Sequence, residues 1–163
     1  MGNHIIDILF ATLRTPLFEK SLNDDLLKDL PAEEWQQLFR MAAQQGVLAI
    51  VYDVVSKLPE GCQPPRSLKI QWALSVEAIE NRYELQRKTS ALLAELWAEQ
   101  GLQTIVMKGL AIGTYYPSPA HRECGDLDCF LTTGTEPITS DGQALGDQLC
   151  EQIGAKVNRD YYK

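Results

Sequence analysis

From about Ser67 to Gln100 the chain carries one helical pattern, and at Gly101 it stops and a run of a different period begins. Ile70, Leu74, Ile79, Leu85, Leu92, Leu93, Leu96 and Trp97 recur among Glu, Gln, Arg and Lys, as in one long helix or two joined ones. Gly101 is the stop, since glycine readily takes the left-handed conformation that closes a helix. Leu102-Gln103-Thr104-Ile105-Val106-Met107 follows, with the composition of a short strand. A helical region of about residues 1–100 is therefore expected to precede a region of about 101–163 that contains sheet, an α/β (α+β) chain. The charged residues Glu77, Glu80, Arg82, Glu84, Arg87 and Lys88 read as the solvated face of the long helix.

The residues before it read as helices too. Asn3 is placed to cap a helix through Ile5, Ile6, Leu9 and Leu13 that ends at Thr15-Pro16. A second begins at Pro31, with Glu33 and Glu34 near its positive end, and buries Trp35, Leu38, Phe39 and Ala42 before stopping at Gly46. Val47 to Leu58 is apolar on most sides and rich in β-branched residues, so helix and strand compete. Helix is preferred, because Pro59-Glu60-Gly61 ends the segment with no hairpin partner in view.

Composition limits the partners. A net charge of −7 over 163 residues disfavours nonspecific duplex nucleic-acid binding, which relies on a basic surface. No apolar run approaches the ~20 residues of a membrane span, and no signal peptide is visible. Cys62, Cys124, Cys129 and Cys150 form no C-x-x-C pair. The expectation is a cytoplasmic protein with reduced, mostly packed thiols and no membrane partner.

The chemistry gathers after Gly101. In Gly125-Asp126-Leu127-Asp128-Cys129-Phe130-Leu131 two aspartates stand two apart, and on a strand their carboxylates would share a face. Mg²⁺ favours such a pair, completed by water and substrate phosphates. Upstream, Lys108-Gly109 ends the apolar strand and opens a short helix that stops at Pro117-Ser118-Pro119. Lys108 offers a point charge to phosphate, and Gly109, without a Cβ, offers close approach to its backbone. Arg122, in the loop leading back to the aspartates, adds a guanidinium. Tyr115 and Tyr116 read as packing residues, and His121 as an incidental loop residue.

The order apolar strand, Lys108-Gly109, short helix, Tyr115-Tyr116-Pro117, Arg122, then Gly125-Asp126-Leu127-Asp128-Cys129-Phe130-Leu131 resembles the uncharacterised nucleotidyltransferase family of the DNA polymerase beta superfamily over about residues 104–131. Leu110 departs from the wider superfamily pattern, which has Gly or Ser there, and the stretch from Gly109 to Asp126 is longer than usual. The resemblance implies an N-terminal helical domain followed by the start of a nucleotidyltransferase core with a small mixed sheet, continuing past the chain end. It implies Asp126 and Asp128 as catalytic ligands of Mg²⁺ or Mn²⁺, and Lys108, Gly109 and Arg122 as binders of a nucleoside triphosphate such as ATP. The implied reaction moves a nucleoside monophosphate to a hydroxyl or phosphate acceptor whose identity the sequence does not reveal.

That superfamily uses a third carboxylate on a later strand as ligand or base. Glu136, Asp141, Asp147 and Glu151 fall in a polar connection and an expected helix, and Asp160 falls in a possible strand over 156–160, so none takes the role clearly. The fragment alone is expected to bind nucleotide without turnover. Two alternatives stand beside the enzyme: a noncatalytic nucleotide-binding module of the same fold, and a nucleotide-sugar glycosyltransferase using the Asp-x-Asp pair.

Overall fold

The computed structural model describes residues 2–134 and 140–158. The helical region opens with α1 (Gly2–Phe18), α2 (Ala32–Gln44) and α3 (Leu48–Val55) and closes with the long α4 (Arg66–Ala98). β1 (Gln103–Met107), α5 (Lys108–Gly113), β2 (Asp128–Thr132) and α6 (Gln143–Gln152) follow. The chain is mostly helical with a two-stranded antiparallel sheet, which is an α+β fold.

Local sequence explains most boundaries. α2 starts after Pro31, has Glu33 and Glu34 in its first turn, and gives way to Gly46 at a φ of 64°. Its buried residues are Trp35, Leu38, Phe39 and Ala42, the stripe read from the sequence. The Val47 to Leu58 segment resolves as helix: burial of Leu48, Ala49, Ile50, Val51, Val54 and Val55 puts apolar side chains almost all round α3. α1 differs from expectation at both ends. It already runs at Gly2, one position before Asn3, whose side chain lies outside the described residues, and it continues through Pro16 to Phe18. A proline near a helix end removes only one late hydrogen bond, which here does not stop the helix.

Two apolar clusters form. The larger joins α1, α2, α3 and the first half of α4 around Trp35, Leu38, Val51, Val55 and Trp72, all essentially inaccessible to solvent. Trp72 stands edge-on to Phe39 with ring centroids 5.3 Å apart, and its Nε1 donates to the Leu48 carbonyl at 3.1 Å. The smaller cluster joins Trp97 at the end of α4 to Leu102, Leu131 and Leu149. At 33 residues and 1.5 Å per residue, α4 is about 50 Å long and takes part in both. Gly101, at a φ of 77°, then turns the chain back into β1.

Trp72→Ala should cost about 3–5 kcal/mol, the range for emptying a buried aromatic site. Urea denaturation read by circular dichroism measures it, and a loss below about 1 kcal/mol would show that the larger core does not depend on this ring.

Candidate functional site

β1 and β2 run antiparallel with Met107 opposite Asp128, so the end of one strand and the start of the other meet at one edge of the sheet. Alternation sorts the β2 side chains. Cys129 and Leu131 turn to the smaller core, and Asp128 and Phe130 take the opposite face. Lys108, the residue after β1, reaches across: its Nζ lies 3.3 Å from Asp128 Oδ1. The lysine side chain is 72% exposed and the aspartate 25%, so the pair sits at the surface with its carboxylate largely shielded.

Asp126 is placed differently from expectation. It lies in a bend two residues before β2 begins, not on the strand. Strand alternation therefore does not govern the Asp126 side chain. What places it is the loop, in which the Cys124 thiol donates to the Asp126 carbonyl at 2.8 Å and Gln86 Nε2, from α4, donates to the Cys124 carbonyl at 3.1 Å.

The reason for glycine at 109 also changes. Gly109 is buried, and a Cβ there would fall on Cys124 Sγ and lie 3.2 Å from Arg122 Nη1. The space a side chain would need is filled by this loop. Lys108 just before it holds a φ of 44°, a left-handed conformation uncommon for a residue with a Cβ. Holding a lysine there costs of order 1–2 kcal/mol. Arg122 lies across Gly109 and Gly113 and donates from Nη1 to the Glu123 carbonyl at 3.4 Å. Among the described residues it makes no ion pair.

His121 is not incidental. It ends the 3-10 turn Pro119–His121, is buried at 8% exposure, and joins two helices. Nδ1 is 2.9 Å from Asp53 Oδ2 on α3, and Nε2 is 2.9 Å from Glu80 Oε1 on α4. Carboxylates only accept, so both bonds form only when both ring nitrogens carry protons. Burial disfavours that charge, but the hydrogen bonds to Glu80 and Asp53 and their negative charges outweigh it, and the ring's pKa rises above 6.5. Glu80 thus leaves the role of a merely solvated charge. Tyr115 departs from its expected packing role as well, since it is 89% exposed.

Among the described residues none of the later carboxylates joins Asp126 and Asp128 in a group of three. Asp141 accepts from the Thr133 amide at 3.1 Å and from the Thr133 hydroxyl, fastening the far end of β2, and these bonds hold its pKa below the usual carboxylate range. Asp147 lies on α6 and accepts from Gln143 at 3.4 Å. Glu151 is on α6 too, while Glu136 and Asp160 fall outside the described residues. Residues 156–158 of the possible strand take no regular structure. Among the described residues no three His, Cys, Asp or Glu side chains gather as a metal-holding group. Two carboxylates still suit Mg²⁺, which keeps water and phosphate oxygens in its remaining positions.

The fold and this sheet end define a mostly helical α+β chain that carries a carboxylate and a cation together at the end of its small sheet. Residues 31–135, more than half of the chain, match the family described as uncharacterised nucleotidyltransferase, and the chain belongs to that family. The match takes in α2, α3 and α4 as well as both strands, so the helices that hold His121 and Cys124 lie within it. No curated protein and no solved structure matches. Among the described residues no helix is long and apolar enough to cross a membrane.

Gly109→Ala should destabilise the chain by about 1–3 kcal/mol, the usual cost of overpacking. Cys124→Ala in the same chain should recover part of that loss, because it removes the sulfur the new methyl meets; thermal melts of the three variants measure both. The His121 bonds give a pH signature of known sign. The folded pKa is raised, so their stabilisation is complete below about pH 6.5 and is lost as pH rises through the higher folded value. The difference in unfolding free energy between wild type and His121→Gln should therefore shrink toward alkaline pH, and a difference that grows there would contradict the doubly donating ring.

Proposed function

We propose that the chain binds a metal-complexed nucleoside triphosphate at the joined ends of β1 and β2 and serves transfer of the nucleoside monophosphate to a hydroxyl or phosphate acceptor. The observation that carries this reading is the Lys108–Asp128 pair at 3.3 Å, an ammonium and a carboxylate at one place with Asp126 two residues away in sequence, which supports a site for phosphate and metal. Asp126 and Asp128 are the residues that would hold Mg²⁺ or Mn²⁺. When bound, the metal supplies charge neutralisation on the phosphates.

Lys108 and Arg122 then bind and orient the phosphate tail, Arg122 through its planar fork and Lys108 as a point charge. Gly109 serves by letting Arg122 and Cys124 lie close over the strand end. In the transfer, the acceptor oxygen forms a bond to the α-phosphorus as the bond to the bridging oxygen of the β-phosphate breaks, and pyrophosphate leaves with that electron pair. The acceptor's proton requires a base. Asp141 is taken up by Thr133 at the far end of β2, which favours, as a second reading, a noncatalytic nucleotide-binding module.

A Mg²⁺–triphosphate complex at about 100 times its dissociation constant should stabilise the chain by about 2.7 kcal/mol. Asp126→Asn with Asp128→Asn should abolish the shift; an unchanged shift would place the nucleotide elsewhere. Lys108→Gly separates conformation from charge. It relieves the left-handed φ while adding glycine's larger entropy cost of about 0.5–1 kcal/mol, so stability should stay within about 1 kcal/mol of wild type. Binding should weaken about tenfold with the lost charge-assisted bond. Incubation with labelled triphosphates and a cell extract as acceptor pool, read as label transfer and pyrophosphate release, distinguishes enzyme from module.

A further inference from the structure

Resting on the nucleotide reading of the sheet end, one buried cluster outside it has a role still to be assigned. His121 stands just before Arg122 and five residues before Asp126, at the point where the loop carrying them leaves the helical body. It is bound from two sides by residues far away in sequence, Asp53 on α3 and Glu80 on α4. The same loop is bound to α4 once more, through Gln86 and the Cys124 carbonyl, and Cys124 in turn holds the Asp126 carbonyl. The loop between His121 and Asp126 is thus fastened to α4 at two points, through Glu80 at its start and through Gln86 at Cys124, which itself holds the Asp126 carbonyl.

We propose that His121 is a positioning residue for the nucleotide site, clamping the segment that carries Arg122, Asp126 and Asp128 to α3 and α4 while both ring nitrogens donate, and loosening it when one proton is lost. The chemistry is that of two acceptors facing one ring. A neutral imidazole keeps a single N–H, and its other nitrogen then presents a lone pair to a carboxylate, so one of the two attachments is lost. Which helix lets go depends on the tautomer; the segment loses a fixed point in either case.

The surrounding charges leave His121 as the group that titrates in this way. α3 presents Asp53 and α4 presents Glu80, both bonded to the ring. The adjoining cleft holds Arg82 and Tyr83 from α4 beside Arg122, Glu123 and Cys124 of the loop itself. α5, which also packs on the turn, contributes Lys108, whose ammonium is directed to Asp128. The raised pKa of the ring agrees with the geometry. Its transition then falls above a histidine's ordinary value, and there the site passes from held to loose as pH increases.

The test uses the whole chain and reads nucleotide affinity against pH. The four common Mg²⁺–nucleoside triphosphates are titrated into the wild type at pH 6 by calorimetry, and the tightest is followed to pH 9, with Asp126→Asn/Asp128→Asn as the site control. The ring is followed in parallel by NMR, which is simple because His4 and His121 are the chain's two histidines. Wild-type affinity should fall about tenfold or more across the range, as for loss of one charge-assisted hydrogen bond. Its midpoint should coincide with the ring's own titration. His121→Gln should bind weakly at pH 6, and its profile should keep only the contribution of the triphosphate's own protonation, which both proteins share. Glu80→Gln, at a half-exposed position, preserves an acceptor but removes its charge, and should move both midpoints together to lower pH; it serves if His121→Gln folds poorly. Identical pH profiles for wild type and His121→Gln, or midpoints that part company in Glu80→Gln, would overturn the clamp while leaving the nucleotide site standing. Absence of wild-type binding at every pH would overturn the nucleotide reading and the positioning role with it.

Discussion

α4 is the member on which both halves of the molecule are built. One end supplies Leu68, Trp72, Val76 and Ile79 to the larger core, and the other supplies Trp97 to the smaller one. Between them the helix turns Glu80 and Gln86 toward the loop before β2, at the stretch where it buries little apolar surface. A helix has no flexible joint of its own, so whatever it holds at its middle is fixed relative to what it packs at its ends. The sheet, with only two strands, could not stand alone. It is stable because α4 lies against β1 and α6 covers β2, so closely that a Cβ on Gly146 would fall on the Leu131 side chain.

Much of this architecture is legible in the chain because it depends on neighbours in sequence. The stripe Trp35, Leu38, Phe39, Ala42 determines a helix face by spacing alone, and Gly46 and Gly101 end their helices in the left-handed conformation that glycine tolerates. The strand after Gly101 and the short helix after Met107 follow from the same kind of local signal. Pro16 shows the limit: the residue is a helix breaker by propensity, yet packing of Ile5, Ile8, Leu9 and Thr12 carries α1 past it.

Candidate site residues could be picked out of the sequence, but their geometry could not. Lys108 and Asp128 meet because β1 and β2 pair in one register, and a register is a relation between two segments. His121 gave no signal, since a lone histidine after a proline turn is unremarkable until Asp53, 68 positions earlier, and Glu80, 41 positions earlier, are brought to its two nitrogens. Gly109 was legible only in part. Its lack of a side chain was visible, but the occupant of the vacated space, Cys124 Sγ, was not.

The charges at the sheet end show why an acidic chain can keep such a site. Asp128 is only a quarter exposed, and a carboxylate withdrawn that far from water needs a counter-charge, which Lys108 provides. The lysine reaches it from a strained left-handed backbone whose cost is met by the packing of β1 and α5 on either side. On the nucleotide reading, an arriving metal–phosphate complex offers each partner a replacement, cation for Asp128 and phosphate for Lys108, so the pair separates without leaving either charge bare. Arg122 needs no such exchange, because its guanidinium has no carboxylate partner among the described residues to give up. On that reading the resting ion pair keeps the site compatible with an acidic surface, and a guanidinium bonded only to a backbone carbonyl among the described residues would give phosphate its first point of attachment.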